Sequence, residues 1–334
     1  MQRLISVAKI RAIPIRAWHV WPLIGMLALI VVLACSSSSP TSTALPTGPD
    51  FSAIVVTTDL SLGENRVVFG LIDREGMPLR TDEAVVEALF IPNSQTQGTV
   101  QDTATARFIQ WPVGQQGVFS ATLNFNHVGE CTARSPACWA LRVRAIGPDG
   151  SPVSAVANFP VRSQSNTPGI GNPVPASVTL KGSDVEDLAT ITSSAVPNPD
   201  LYRLSINEAL AEDKPLVVVF ATPAFCASAA CGPQVEVISE LKGRFMDDAN
   251  FIHVEVFVDP HLIEGGRPTS GFVPSVEEWN LPTEPWTFIV NKDGMMHSKF
   301  EAFATLEELE ESLRELICHK DKDYQDMFWQ EGGV

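Results

Sequence analysis

The spacing of apolar residues changes part-way along this chain, and that change restricts its possible folds more than any other feature. Between residues 51 and 162 apolar and polar residues alternate in short segments, as in Gly117-Val-Phe-Ser-Ala-Thr-Leu-Asn-Phe125. The later run Leu216-Val-Val-Val-Phe-Ala221 is apolar throughout. Alternation is typical of strands with one face in water, and a continuous run is typical of a strand covered on both faces. A chain of 334 residues is long enough for two cores of these different kinds, so the sequence predicts two domains.

The first region, residues 51–162, has the features of an all-β domain. Turn sequences such as Asp73-Arg-Glu-Gly76 and Gly147-Pro-Asp-Gly150 separate its alternating segments. This spacing of strands and turns favours an immunoglobulin-like β-sandwich. Residues 163–199, rich in Pro, Ser and Thr, are predicted to be a linker and lead-in segment to the next domain.

The second region, residues 200–320, combines helical and strand patterns. Ser205-Ile-Asn-Glu208 and Thr305-Leu-Glu-Glu308 are capping boxes that predict two helix starts, and apolar residues at helical spacing up to Phe245 predict another helix. Strands are predicted at Leu216–Ala221, Phe251–Val258, Trp286–Asn291 and Met295–Phe300, with a turn at Asp293-Gly294 between the last two. This order predicts an α/β domain followed by a C-terminal tail, residues 321–334.

The N-terminal 34 residues have the layout of a secretory signal peptide, in which a basic segment precedes the charge-free apolar run from Val20 to Ala34. The run ends in Val-Leu-Ala-Cys35, which resembles the lipobox of bacterial lipoproteins and implies a lipid on Cys35. The alternative is an uncleaved membrane anchor over residues 17–34. Residues 35–50 are predicted to be a Ser/Thr/Pro tether, so we expect an extracytoplasmic protein that is lipid-anchored to the bacterial cell membrane.

Four of the six cysteines fall in two close pairs. Cys131 and Cys138 flank Thr-Ala-Arg-Ser-Pro-Ala between predicted strands, so a structural disulfide there would hold a hairpin loop in an oxidising compartment. A metal site at this pair would need further ligands, and only His127 is near it in the sequence. Cys318, on the final predicted helix, is expected to be a buried apolar residue.

Cys226 and Cys231 follow the continuous apolar strand, at the predicted start of a helix. The thiolate is the nucleophile in disulfide exchange, and the positive end of a helix dipole lowers the pKa of a thiol placed there. Residues five apart in a straight helix differ in height by about 7.5 Å, which exceeds the usual Cα separation of a disulfide. Cys226 is therefore predicted to lie in the loop and Cys231 near the first helical turn, where Pro233 is tolerated.

The tract from Phe220 to Pro233, FATPAFCASAACGP, resembles that of bacterial membrane-anchored lipoproteins of the thioredoxin family, of the TlpA and ResA kind. The order of predicted elements over residues 200–319 is also similar to that of the thioredoxin fold, and Pro285 stands where that family has its cis-proline. The resemblance implies a thioredoxin-like fold and a thiol-disulfide oxidoreductase. It assigns Cys226 as the attacking thiol, Cys231 as the resolving thiol and Pro285 to the catalytic site.

The tract departs from the family pattern in several ways. Four residues separate the cysteines in place of two, and Phe225 replaces the tryptophan that commonly precedes the first cysteine. Val219 occupies the position where many thioredoxins bury an aspartate that helps to move protons. Glu284 precedes Pro285, and a carboxylate beside the cysteines would oppose thiolate formation unless it turned outward. These departures favour a specialised or slow exchanger.

The expected partners are the thiols or disulfides of exported proteins and an electron donor of unknown identity, with no cofactor and no metal. Two alternatives stay open: a non-catalytic surface module with a permanent disulfide, and a copper-binding chaperone similar to the Sco type. His261 and His297 are the candidate ligands of such a chaperone. The net charge of −16 opposes binding to nucleic acid, whose phosphates it would repel.

Overall fold

Strands dominate the architecture of this protein. In the computed structural model, which describes residues 50–93, 97–112, 117–266, 268 and 271–317, eleven strands form two sheets. The first sheet contains β1 (Phe51–Val55), β2 (Gly63–Asp73), β3 (Glu83–Ile91), β4 (Thr99–Gln110), β5 (Gly117–Phe125), β6 (Cys138–Ile146) and β7 (Pro152–Phe159). The second sheet contains β8 (Leu216–Ala221), β9 (Asn250–Glu255), β10 (Trp286–Val290) and β11 (Met296–Glu301).

The helices lie in the second half of the described chain. They are α1 (Ile206–Ala209), α2 (Cys231–Phe245), α3 (Pro274–Glu278) and α4 (306–317). Short 3-10 turns occur at Gly182–Asp184, Leu188–Thr190, Pro199–Tyr202 and Pro260–Leu262. Within the described ranges, none of the helices combines the length and the apolar character that crossing a bilayer requires.

The first sheet is antiparallel throughout, with the strand order β1-β2-β5-β4-β3-β6-β7. It curls until the edge strands β1 and β7 approach each other, so the sheet is nearly closed. Alternate side chains of each strand point to the inside of the curl, because the side-chain period of a strand is two. Val67, Phe69 and Leu71 of β2 pack there against Phe119 and Trp139 in one buried core.

The second sheet has the order β11-β10-β8-β9. β8 and β9 are parallel and are connected through α2, whereas β10 is antiparallel to both β8 and β11. Every residue of β8 is buried. Val217 and Val219 face a core formed with α2 and α4, and Val218 and Phe220 face a second core formed with Trp279 and β10. The prediction that this strand is covered on both faces is confirmed.

The predicted fold class is wrong. An immunoglobulin-like sandwich packs two sheets face to face, but residues 51–159 form one curled sheet that buries its own inner face. The predicted α/β thioredoxin-like fold is also overturned, because the chain is mostly β, with 37% strand and 19% helix, and shows no clear fold of that type. An α/β sheet needs helices over both faces. Between β9 and β10, prolines begin two short elements, the turn at Pro260–Leu262 and the five-residue α3.

Many of the individual elements were nevertheless predictable. β5 and β8 have the expected bounds, and β10 and β11 lie within one residue of theirs. Both capping boxes form: the Ser205 N–H donates to Glu208 and the Thr305 N–H donates to Glu308, each at 3.0 Å. Local patterns therefore located the elements, whereas the way the elements assemble differs from the prediction.

Candidate functional site

Cys226 and Cys231 lie at disulfide distance, with their Cα atoms 5.9 Å apart. β8 ends at Ala221, a loop follows, and α2 begins at Cys231. Cys226 is therefore in the loop and Cys231 at the first helical position, as the spacing predicted. Cys231 is completely buried in the core beneath α2, whereas Cys226 is partly exposed. Of the two cysteines, Cys226 is therefore the more accessible to an external partner.

Two features beside Cys226 can stabilise a thiolate. α2 has 15 residues, and its N-terminus carries the partial positive charge of the helix dipole. The Ser228 Oγ lies 3.2 Å from the Cys226 Sγ, so its hydroxyl can donate a hydrogen bond to a thiolate there. Ala229, between these residues and the helix, has φ of +56°, a left-handed conformation that costs a residue with a β-carbon about 1–2 kcal/mol. The loop therefore has an unusual backbone where the chemistry would occur.

Other elements end at the same edge of the second sheet. β9 is parallel to β8 and ends at Glu255, and β10 is antiparallel to β8 and begins there, directly after Pro285. Pro285 is buried, and the peptide bond between Glu284 and Pro285 is cis. The strand pairing therefore brings the cysteine loop, Glu255 and the Glu284–Pro285 segment to one edge.

Glu255 is a buried carboxylate that is connected to the cysteine loop. It accepts hydrogen bonds from the Ser193 N–H at 2.8 Å and from the Ser193 hydroxyl at 2.6 Å. The Ser193 Oγ in turn accepts from the N–H of Ala224, two residues before Cys226, at 3.1 Å. Burial raises the pKa of Glu255 above its ordinary value, although its hydrogen bonds act in the opposite direction.

Glu284 is a second carboxylate at this edge with a raised pKa. Its partial burial is the larger cause, and the negative charge of Glu255 is the smaller one. Two carboxylates that repel each other bind a proton at higher pH than either would alone. Burial and mutual repulsion therefore both favour the protonated form of these carboxyl groups.

A neutral histidine lies beneath the cysteine loop. The His253 Nδ1 is 2.6 Å from the Tyr202 hydroxyl, and its Nε2 is 3.1 Å from the carbonyl oxygen of Ala221, the last residue of β8. A carbonyl only accepts, so Nε2 carries the proton and Nδ1 accepts from Tyr202. Burial lowers the pKa of His253 to about 4, despite its hydrogen bond to Ala221.

Sequence reasoning missed His253, Glu255 and Ser193. His253 and Glu255 alternate with apolar residues of β9 and have the same strand parity as Phe251, which packs in the core that contains Cys231. Two polar residues that interrupt an apolar strand on one face are a detectable sign of a buried polar site. Ser193 carries no comparable sign, because it lies in an irregular segment far from β9 in the chain.

Three phenylalanines extend away from Cys226. The ring of Phe225 lies 6.5 Å from that of Phe257, which stacks on Phe272 at 5.3 Å. Phe272 is 53% exposed, and the neighbouring Val258 is also exposed. We call Phe225, Phe257 and Phe272 the aromatic strip. It gives the surface beside the reachable sulfur a strongly apolar character.

Cys131 and Cys138 also lie at disulfide distance, with Cα atoms 4.5 Å apart. This pair joins the start of β6 to the loop before it, in the first sheet. The lipidation candidate Cys35 and the residue Cys318 lie outside the described residues, as do the predicted signal peptide, the tether up to residue 49 and the C-terminal tail.

The three histidines considered as metal ligands have other surroundings. His127 stacks on Phe90, His261 is exposed on a 3-10 turn, and His297 pairs with Glu315 at 3.2 Å. Among the described residues, no group of three or more His, Cys, Asp or Glu side chains is arranged to hold a metal ion.

No protein-family model matches this sequence, and no curated protein matches it significantly. The resemblance of residues 220–233 to thioredoxin-family lipoproteins therefore stays a prediction.

Proposed function

We propose that this protein is an extracytoplasmic thiol-disulfide oxidoreductase in which Cys226 and Cys231 exchange disulfides with exported proteins. The observation that carries the proposal is the unequal burial of the two cysteine residues at the start of a long helix, with Cys231 buried and Cys226 partly exposed. A disulfide with one reachable and one buried sulfur can be attacked at one position only, so its opening follows a defined course.

In the reaction, a thiolate of a partner attacks the Cys226 Sγ. The Cys226–Cys231 bond breaks, a mixed disulfide forms between the partner and Cys226, and Cys231 leaves as a thiolate that takes up a proton. A second partner thiolate then attacks the partner sulfur of the mixed disulfide and releases Cys226. The partner loses two electrons and two protons as its own disulfide forms, and the pair gains them. The reverse sequence reduces a partner disulfide.

The carboxyl groups of Glu255 and Glu284 support this chemistry because each exchange requires protons to be taken up and released. Burial raises the pKa of each carboxyl group, which favours its protonated form. Glu255 is also the group hydrogen-bonded, through Ser193, to the cysteine loop. Many thioredoxins have a buried aspartate that moves protons at the position of Val219. In this proposal Glu255 performs that task.

The aromatic strip supports a polypeptide as the partner, rather than a small thiol. An extended chain with apolar side chains beside its cysteine would bury Phe272 and Val258 as it reached Cys226. The net charge of −16 further favours partners that are neutral or basic.

We propose that a lipid on Cys35 anchors the protein outside the cytoplasm, in an oxidising compartment. The position of Cys131 and Cys138 at disulfide distance is consistent with that compartment. In cells grown with a labelled fatty acid, the wild-type protein should carry the label and Cys35→Ser should not. An equally labelled Cys35→Ser protein would contradict the lipidation proposal.

The central test is a redox titration of the full-length protein in detergent, in glutathione buffers, with alkylation and mass spectrometry of every cysteine. We expect Cys226 and Cys231 to change state within the range of about −120 to −270 mV that exchange-active pairs occupy. Cys131 and Cys138 should stay bonded and serve as the internal control. If Cys226 and Cys231 also stay bonded throughout, the protein is a non-catalytic module and the proposal fails.

The partner class has a separate test with Phe272→Ser. The exchange rate with a reduced, unfolded polypeptide should fall about fivefold, because about 1 kcal/mol of apolar contact is lost. The rate with dithiothreitol, which is too small to contact the aromatic strip, should not change. Ile146→Ser, which removes a similarly exposed apolar side chain from β6, is the control. Equal effects on both substrates would contradict a polypeptide partner.

A further inference from the structure

Arg66, a residue of β2 in the first sheet, makes side-chain contacts with β11 of the second sheet and with the segment that leads into α4. This side chain, 11% exposed, pairs with Glu308 at the start of α4, with the Nε at 2.8 Å from the Oε1. It also donates from Nη1 to the carbonyl oxygen of Glu301 at 3.0 Å and from Nη2 to that of Phe303 at 2.9 Å. A guanidinium can satisfy a carboxylate and two carbonyls at once because its donors are fixed in one plane. Residues 301–304 are thereby held from outside the second sheet.

Residues 301–304 in turn form hydrogen bonds on two sides of the cysteine site, with Pro285 before β10 and with Gln234 in α2. The Ala302 N–H donates to the carbonyl oxygen of Pro285 at 3.0 Å. The Ala304 N–H donates at 2.8 Å to the side-chain oxygen of Gln234, which is completely buried in the first turn of α2, three residues after Cys231. One short segment therefore connects Arg66 to the segment before β10 and to the helix that begins with Cys231.

An apolar contact reinforces this connection. Val68, two residues after Arg66 on the same face of β2, belongs to a buried cluster with Ile109 and Val118 of the first sheet and with Ala230 and Phe303. Ala230 is 2% exposed and directly precedes Cys231. The outer face of β2 thus contacts the cysteine loop and residues 301–304 together, whereas its inner face forms the core of the first sheet.

We infer that Arg66 is a positioning residue for the Cys226–Cys231 pair. The inference rests on the proposed function and extends it, because it assigns the first sheet a role in the reaction. By holding residues 301–304, Arg66 keeps Pro285, α2 and Ala230 in the arrangement in which the two sulfur atoms meet. Without the contacts of Arg66, the two sulfur atoms meet less readily, so the equilibrium shifts toward the separated thiols. The Cys226–Cys231 disulfide then becomes a stronger oxidant.

The test is the equilibrium of the full-length protein with glutathione, measured by alkylation and mass spectrometry in detergent. In Arg66→Met the equilibrium constant for forming the Cys226–Cys231 disulfide should fall about tenfold, which corresponds to about 30 mV for a two-electron couple. Arg66→Lys should recover part of the loss, because an ammonium can replace some but not all of the donors. Arg142→Met, which removes an ion pair with Glu87 within the first sheet, is the matched control and should not change the constant.

Val68→Ala gives a second test that removes no buried charge. It deletes apolar contact with Ala230 and Phe303 and should lower the same constant severalfold, with circular dichroism confirming that each variant is folded. If folded Arg66→Met or Val68→Ala proteins keep the wild-type constant, the inference is wrong while the proposed function stands. If the wild-type pair never opens in glutathione, the proposed function fails and the inference fails with it.

Discussion

The pair Cys131–Cys138 and the pair Cys226–Cys231 both lie at disulfide distance, but their surroundings differ. Between Cys131 and Cys138, backbone hydrogen bonds close the loop: the Cys131 N–H donates to the Ala137 carbonyl and the Thr132 N–H donates to the Ser135 carbonyl, both at 3.0 Å. These bonds hold the two cysteines near each other whether or not the sulfur atoms are joined. The surroundings of this pair favour a permanent disulfide.

The loop between Cys226 and Cys231 is held more weakly and has more polar surroundings. Its backbone hydrogen bond from the Ala229 N–H to the Cys226 carbonyl is longer, at 3.3 Å. A helix N-terminus, a serine hydroxyl and a pair of carboxyl groups lie at the same edge of the sheet. The helix N-terminus and the serine hydroxyl can stabilise a thiolate, so under the proposed function the environment of the cysteines, and not their spacing, distinguishes the two pairs.

The largest expected effect is a difference in disulfide-exchange rate between variants of the two cysteine pairs. Cys226→Ser removes the reachable sulfur, so the rate of disulfide exchange with a polypeptide should fall by at least about 100-fold. A Cys131→Ser and Cys138→Ser double variant should exchange at the wild-type rate. The measurement is the fluorescence of a labelled dithiol polypeptide as it oxidises. Equal loss in the two proteins would end the distinction between the pairs.

The next effect is the acid sensitivity of the second sheet. Because burial lowers the pKa of His253 to about 4, the folded protein binds fewer protons than the unfolded chain, in which histidine has a pKa of about 6.5. The stability contributed by neutral His253 is therefore fully present above pH 6.5 and is lost as the pH falls through about 4. The loss should reach about 3 kcal/mol in urea unfolding experiments at successive pH values.

Matched variants isolate the source of this pH dependence. His253→Gln should flatten the fall in unfolding free energy between pH 6.5 and 4, and His127→Gln, near the first pair, should leave it unchanged. A slope that is the same in both variants would show that another group causes the acid sensitivity.

The two disulfides should also differ in their contribution to stability. Cys131→Ser should lower the unfolding free energy by about 2 kcal/mol, as expected when a loop of this length is no longer closed in the unfolded chain. Cys226→Ser should lower it by less than about 1 kcal/mol, because the site also stabilises the opened pair. Urea unfolding of both single variants at pH 7 provides the comparison, and a larger loss for Cys226→Ser would reverse it.

The smallest effect concerns the thiolate itself. Glu284→Gln removes a negative charge from the edge where the cysteine loop lies, so the reduced Cys226 should lose its proton more readily. The pH midpoint of Cys226 alkylation should fall by about half a unit. Glu277→Gln, on the exposed side of α3, is the control and should leave the midpoint where it is. An unchanged midpoint in Glu284→Gln would place Glu284 outside the reach of the thiol.

Features that depend on neighbouring residues were predictable from the sequence. The bounds of β8 follow from one continuous apolar run, and both capping boxes follow from residues three apart. The position of Cys226 in the loop and Cys231 in the helix follows from helix geometry, the span of a disulfide and the position of Pro233.

Features that depend on which segments meet were not predictable. The alternating strands of the first region would suit two packed sheets or one curled sheet, because both bury every second residue. Arg66 and Glu308 are separated by 242 residues, and Ser193 and Glu255 by 62. No local pattern specifies either contact, so the connection between the sheets and the polar network beneath the cysteine loop became visible only in three dimensions.

The contact made by Arg66 has a consequence for how the chain matures. The core of the first sheet is built from residues between 51 and 161, so it can close while the rest of the chain is still being synthesised. Arg66 then lies exposed on the surface of the folded first sheet until α4 has been synthesised and can pack against it. A chain truncated before residue 301 would therefore present proteases with a folded half-protein that displays an uncovered cation, and not with a disordered polypeptide.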